Sequence, residues 1–185
     1  SPFLLGYKSL AVNQSDIAAM GGRPLIFTVS LSLPKDVPEN FFRDFYRGMD
    51  EAARRSGGAL AGGDLSRSPH GICLSIAMIG EAWGARPILR SGARPGDLIC
   101  VTGRLGLSAI GLHLLQQGCR LSPRAIREKG VPSRTRSQWI RSCLQAHLMP
   151  QPKMQMAEML GRKGLPTAMM DISDGLSLDL SRLCE

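Results

Sequence analysis

The chain has 185 residues, enough for one large domain or two small ones. Hydrophobic residues make up 43% and charged residues 21%, which allows a packed core and argues against disorder, and no run reaches membrane-spanning length. The net charge is +8, and the five cysteines form no C-x-x-C pair, which excludes a zinc or disulfide framework and fits reduced thiols in the cytoplasm.

The first residues, Ser1-Pro2-Phe3-Leu4-Leu5-Gly6, carry no signal-peptide pattern and no initiator Met, so the segment is expected to begin partway into a longer protein. Leu10, Val12, Ile17, Ala18 and Met20 predict a helix over 7–20, ended by Gly21-Gly22 and stopped by Pro24. Residues 25–33 predict a strand that Pro34 closes. Pro38 opens a helix to about Arg55, with Phe41, Phe42, Phe45, Met49 and Ala52 on one face. Ala59-Leu60-Ala61 reads as a short strand emptying into the turn Gly62-Gly63-Asp64, and 72–79 as a strand of period two. The Gly-, Pro- and Arg-rich stretch 84–97 reads as a domain boundary.

Beyond it, 98–101 reads as a buried strand, and Gly103 and Gly106 turn the chain into a helix over 107–117. Between Arg120 and Arg141, seven basic residues stand against the single acid Glu128, so most of the net charge is local. With only Trp139 as aromatic company, that segment reads as a solvated insertion, and an RNA-binding face is the alternative. Pro150-Gln151-Pro152 opens a helix over 153–162, 167–170 reads as a strand ending at Asp171, and a last helix starts near Gly175. Strands and helices mixed throughout point to an α/β or α+β fold.

Chemistry concentrates in four places. In Asp171-Ile172-Ser173-Asp174-Gly175, Ser173 or Asp174 can cap the following helix, whose free N–H groups would then face an anion, and two carboxylates at such a mouth suit Mg²⁺, although an ordinary N-cap with a spare Asp explains the motif taken alone slightly better. Gly62-Gly63-Asp64 repeats the pattern of glycine and acid, although a plain turn explains it equally. Asn13 and Asp16 share a helix face, as metal-facing or simply exposed residues. Arg90 could clamp phosphates or sit free on the surface. Gly103-Arg104-Leu105-Gly106 resembles the G-x-x-G loop of KH modules and equally a plain turn. A P-loop and a protein-kinase signature are both absent.

Taken together and in order, the stretch from Gly6 to Gly21, Gly62-Gly63-Asp64, the segment 89–97 with Val101-Thr102-Gly103, and Asp171 to Leu176 resemble the thiamine-monophosphate kinase family. Its superfamily includes aminoimidazole ribonucleotide synthetase and selenophosphate synthetase. The resemblance implies a two-domain synthetase-like fold. Residues 1–88 would form an N-terminal ATP/Mg-binding sheet domain, incomplete at its start and contributing to a barrel shared across a homodimer. Residues 89–185 would begin a second α/β domain, incomplete at its end. It implies transfer of the γ-phosphoryl of ATP to thiamine monophosphate. Asp16, Asp64, Asp171 and Asp174 would bind Mg²⁺, and Gly63, Asp64, Arg90 and Ser173 would contact ATP. It implies no membrane contact, and a basic RNA-binding module or a sister enzyme of the superfamily is the alternative. The family's Gly-Asp-Asp and Thr-Asp motifs and a substrate-facing histidine would precede Ser1, and its substrate half would follow Glu185, so the isolated chain is expected to be inactive. Leu65 stands where the family has Thr, and Lys153 where it has Arg.

Overall fold

The computed structural model describes residues 1–121 and 136–185. The chain divides into two compact units, one formed by Ser1–Cys100 with Pro152–Glu185 and the other by Val101–Gln151. Both residues flanking the expected boundary, Ile88 and Leu89, lie in the first unit.

The first unit starts with helix α1, Pro2–Ala19. It begins five residues earlier than its apolar pattern suggests. Ser1 caps it by accepting from the Leu4 amide at 3.5 Å, and Pro2 supplies a preset φ at the first helical position. Gly21, with φ 65°, turns the chain out of the helix and donates to the Ala18 carbonyl. Strand β1, Gly22–Leu33, runs through Pro24 rather than starting after it. Proline has no N–H to give the ladder, and the pairing register slips between Pro24 and Ile26.

β1 is the middle strand of a three-stranded sheet, with β2 (Ala59–Arg67) parallel on one side and β3 (Cys73–Ala82) antiparallel on the other. Phe27, Val29, Leu31 and Leu33 are buried on one face, and Thr28 and Ser30 are exposed on the other. α1 packs on the buried face and against α2, Asn40–Ser56. Phe41, Phe45, Met49 and Ala52 form the buried stripe of α2 at helical spacing, and Phe42 is only half-buried. Gly6 of α1 and Gly48 of α2 bring the two backbones together: a Cβ on Gly6 would lie 2.0 Å from the Phe45 carbonyl oxygen. Gln14 is fully buried, and its Nε2 donates to the carbonyls of Ala52 at 3.1 Å and Gly57 at 2.7 Å. That side chain ties α1 to the end of α2, where the chain turns toward β2.

Gly62-Gly63-Asp64 is not a turn. It lies inside β2, paired with Thr28, Val29 and Ser30 of β1. Leu60 pairs with Phe27 and Gly62 with Thr28, so Ala61 is the extra residue of a bulge. Gly63 then passes so close to β1 that a Cβ would meet the Val29 carbonyl oxygen at 2.0 Å. The ladder continues through residues of poor strand propensity because no side chain blocks it there.

In the second unit, α3 (Leu107–Gln116) packs on α4 (Arg136–Leu148). A Cβ on Gly111 would lie 2.1 Å from the Cys143 carbonyl oxygen, so this pair also meets backbone to backbone. Gly106, with φ 82°, starts α3. Most of the basic segment 120–141 lies outside the described residues. The two remaining helices, α5 (Met154–Lys163) and α6 (Leu176–Cys184), belong to the first unit.

Two expected strands are overturned. Residues 98–101 pair with nothing in a ladder, and Leu98 is 91% exposed. An apolar run becomes a strand only where a neighbour takes its backbone groups, and no described segment does so. Residues 167–170 likewise form no strand, since among the described residues only one backbone bond is made there, from the Met169 amide to the Leu89 carbonyl at 3.0 Å. Among the described residues no helix is long and apolar enough to cross a membrane.

Candidate functional site

Asp171-Ile172-Ser173-Asp174-Gly175 is an irregular loop entering α6, and it is organised from behind. Asp179, one turn into α6, is 1% exposed. Its Oδ2 accepts the amides of Ser173 and Asp174 at 3.0 Å each and of Gly175 at 3.1 Å. The expected capping by Ser173 or Asp174 is therefore corrected: Gly175 is the N-cap and has no side chain to cap with, and the amides at the helix start are taken by Asp179 from within the helix. Those three amides do not form an open anion cradle, because a buried carboxylate of the chain already fills that role. Arg182 closes the arrangement, its Nη1 donating to Asp174 Oδ2 at 2.6 Å and to Asp179 Oδ1 at 3.2 Å.

With its amides held, the loop presents Asp171 to α1. Ser15 lies beside the Asp171 carboxylate and favours its charged form, and Asp16 lies within its field. Burial pushes the Asp171 carboxyl up. The bonds from Ser15 and from its own amide draw it back, and the charges of Asp179 and Asp174 raise it again. Asp16 is solvent-exposed at its surface but loses part of its hydration to the surrounding protein. That loss, then the charge of Asp171, raises its carboxyl above the usual range.

The segment carrying Arg90 joins the same neighbourhood. Leu89 accepts from Met169, two residues before Asp171, and Asp97 accepts from the Thr167 hydroxyl at 2.6 Å and the Arg94 amide at 2.9 Å. Those two bonds hold the Asp97 carboxyl below its ordinary value. Arg90 itself is exposed. Three of the four expected segments thus converge: the 15–16 step of α1, the 89–97 stretch, and 167–175. Gly63 and Asp64 lie in β2, where Asp64 is exposed opposite Ser30.

Asp16 and Asp171 are two neighbouring carboxylates, and among the described residues no ion pair neutralises either of them. This donor set fits a hard divalent cation such as Mg²⁺, which takes one or two carboxylates and completes its shell with phosphate oxygens and water. Among the described residues no three His, Cys, Asp or Glu side chains converge on an ion position, so phosphate and water would complete the shell.

Asp16→Asn provides a test. A carboxyl whose pKa is raised by folding contributes stability when protonated and loses it as pH rises through the folded value. At neutral pH without metal, Asp16→Asn is therefore expected to stabilise the chain slightly, by about 0.5 kcal/mol on the scale of exposed charge pairs. The gain should vanish near pH 3. Thermal unfolding across that range checks it, and destabilisation at pH 7 would contradict the repulsion.

The sequence reading missed Asp179 and the role of Ser15. Asp179 was findable in principle: it falls between Leu176, Leu180 and Leu183 on the apolar face of α6, where a carboxylate needs partners. Nothing local marked Ser15 as a neighbour of Asp171.

Residues 1–82 match the family model of the AIR synthase related protein, N-terminal domain. Over its full length the chain is 35% identical to thiamine-monophosphate kinase of Bacillus subtilis, and covers 53% of that protein. The crystal structure of thiamine monophosphate kinase from Aquifex aeolicus superposes with a TM-score of 0.82 at 32% identity, covering 98% of this chain and 56% of that one. A second solved structure, AaThiL complexed with AMPPCP and TMP, matches with the same score and identity and is covered to 53%. The chain spans about half the length of the curated relatives it matches.

Proposed function

We propose that this chain, a relative of the thiamine-monophosphate kinases along its whole length, carries the ATP and Mg²⁺ part of an enzyme that phosphorylates thiamine monophosphate to thiamine diphosphate. The observation that carries the reading is the meeting of Asp16 and Asp171. They come from opposite ends of the chain and form a carboxylate pair that a divalent cation would neutralise. The complex of AaThiL with AMPPCP, an ATP analogue, and TMP supports the choice of ligands.

In this reading Asp16, Asp64 and Asp171 would hold Mg²⁺ and Asp174 a further Mg²⁺, with phosphate oxygens and water filling the remaining positions. The metal supplies neutralisation of phosphate charge. Gly63 and Asp64 on β2 and the exposed Ser173 would contact the nucleotide, and the exposed guanidinium of Arg90 would pair with phosphate oxygens in a fork. Ser15 favours the charged form of the Asp171 carboxylate. The acceptor is already a phosphate oxygen, so positioning and charge, rather than a side-chain base, lower the barrier. The family match ends at residue 82, which supports a domain boundary at 88/89 in the whole protein. Ile26 and Ile79, cross-strand neighbours exposed on the outer sheet face, support packing of that face against a second copy. Free thiols are in keeping with a cytoplasmic setting.

Equilibrium dialysis of the 185-residue chain with ATP tests the reading. Binding is expected to require Mg²⁺ and to weaken at least about tenfold in Asp171→Ala, the loss of one charge-assisted contact. Turnover of thiamine monophosphate is not expected from the chain alone, and measured turnover would overturn that part. Salt-dependent RNA binding that survives Asp64→Ala and Asp171→Ala, with no nucleotide binding, would replace the reading with a nucleic-acid one.

A further inference from the structure

We infer that Arg182 is an internal counter-cation for the acidic loop: it occupies Asp174 while no metal is bound and yields that carboxylate to the incoming divalent ion. The inference rests on the proposed metal site and concerns how that site is kept ready. One nitrogen, Nη1, serves two carboxylates, lying 2.6 Å from Asp174 Oδ2 and 3.2 Å from Asp179 Oδ1. The two partners differ in kind. The Asp179 side chain is 1% exposed and its other oxygen is fixed by three backbone amides, so it cannot follow the guanidinium outward. The Asp174 side chain is 51% exposed and holds no other bond among the described residues, so its pairing exchanges freely with solvent and ions.

Charge explains why such a group is needed. Asp171, Asp174 and Asp179 lie within one field, with Asp16 beside Asp171. Among the described residues Arg182 alone makes an ion pair with any of the four. A divalent ion would take over its work at Asp174, whereas the buried contact to Asp179 would anchor Arg182 through the exchange. Arg182 is thus a positioning residue that sets metal affinity by competition, and touches neither substrate nor metal.

Mn²⁺ titration of the intact chain, read by the EPR signal of the free ion, tests this without nucleotide or turnover. Arg182→Gln should tighten Mn²⁺ binding two- to fivefold, on the scale of one exposed ion pair removed. Arg182→Lys, which keeps the charge, should stay near wild type. Asp171→Asn should abolish binding in either background. Unchanged or weaker binding in folded Arg182→Gln overturns the counter-cation while leaving the metal site intact. Absence of Mn²⁺ binding in wild type sinks both. If Arg182→Gln does not fold, the guanidinium NMR signals of wild-type Arg182 decide: they should shift on adding Mg²⁺, and no shift overturns the inference.

Discussion

Replacing Gly48 by alanine is expected to destabilise the first unit by about 3 kcal/mol, although alanine is the better helix former. At an exposed helical position the change would gain up to about 1 kcal/mol. Here the added Cβ would lie 1.9 Å from the Phe3 carbonyl oxygen and 2.9 Å from the Tyr7 amide nitrogen. Both are backbone atoms of α1, which cannot rotate away as a side chain could. Accommodation means moving one helix off the other and opening the buried layer of Tyr7, Leu10, Phe45 and Met49. Gly6→Ala meets the Phe45 carbonyl across the same crossing and should cost a similar amount. Once one alanine has forced the helices apart, the second meets less resistance, so the double variant should cost less than the two singles combined. Urea unfolding measures all three. A loss below about 0.5 kcal/mol for Gly48→Ala, the range of a neutral surface change, would contradict this backbone contact.

The elements buried on one side were legible in the sequence because burial imposes a period. α2 shows it in Phe41, Phe45, Met49 and Ala52, and β1 in Phe27, Val29, Leu31 and Leu33. What was not legible depends on partners distant in sequence. Gly62-Gly63-Asp64 looks like a turn by composition, and it is a strand because β1 offers a ladder with room only for glycine at Gly63. Residues 98–101 look like a strand and lack the ladder. The acids at Asp16 and Asp171 stood out as candidates, and their meeting required the fold. Asp179 carried no motif of its own, yet it determines what the amides of the motif beside it can bind.

That dependence makes Asp179→Ala the second large effect, and a local one. Three amides and a guanidinium would lose a buried acceptor at once, and each buried donor left unpaired costs about 1–3 kcal/mol. Much of the cost can be avoided by letting 171–175 detach, since the loop itself is half-buried or exposed and contains no regular structure. The expected signature is therefore uneven. Amide exchange at Ser173, Asp174 and Gly175 should accelerate about a hundredfold, and the buried α1 amide of Leu10 should change far less. Asp179→Asn keeps one oxygen for the amides but turns an NH₂ group toward Arg182, so its effect should fall between wild type and alanine. Loss of protection equal at Gly175 and Leu10 would mean that Asp179 supports the whole unit rather than the loop. Where the loss is confined to the loop, Mg²⁺-dependent nucleotide binding should disappear with the core still folded, because Asp171 and Asp174 no longer share a fixed frame.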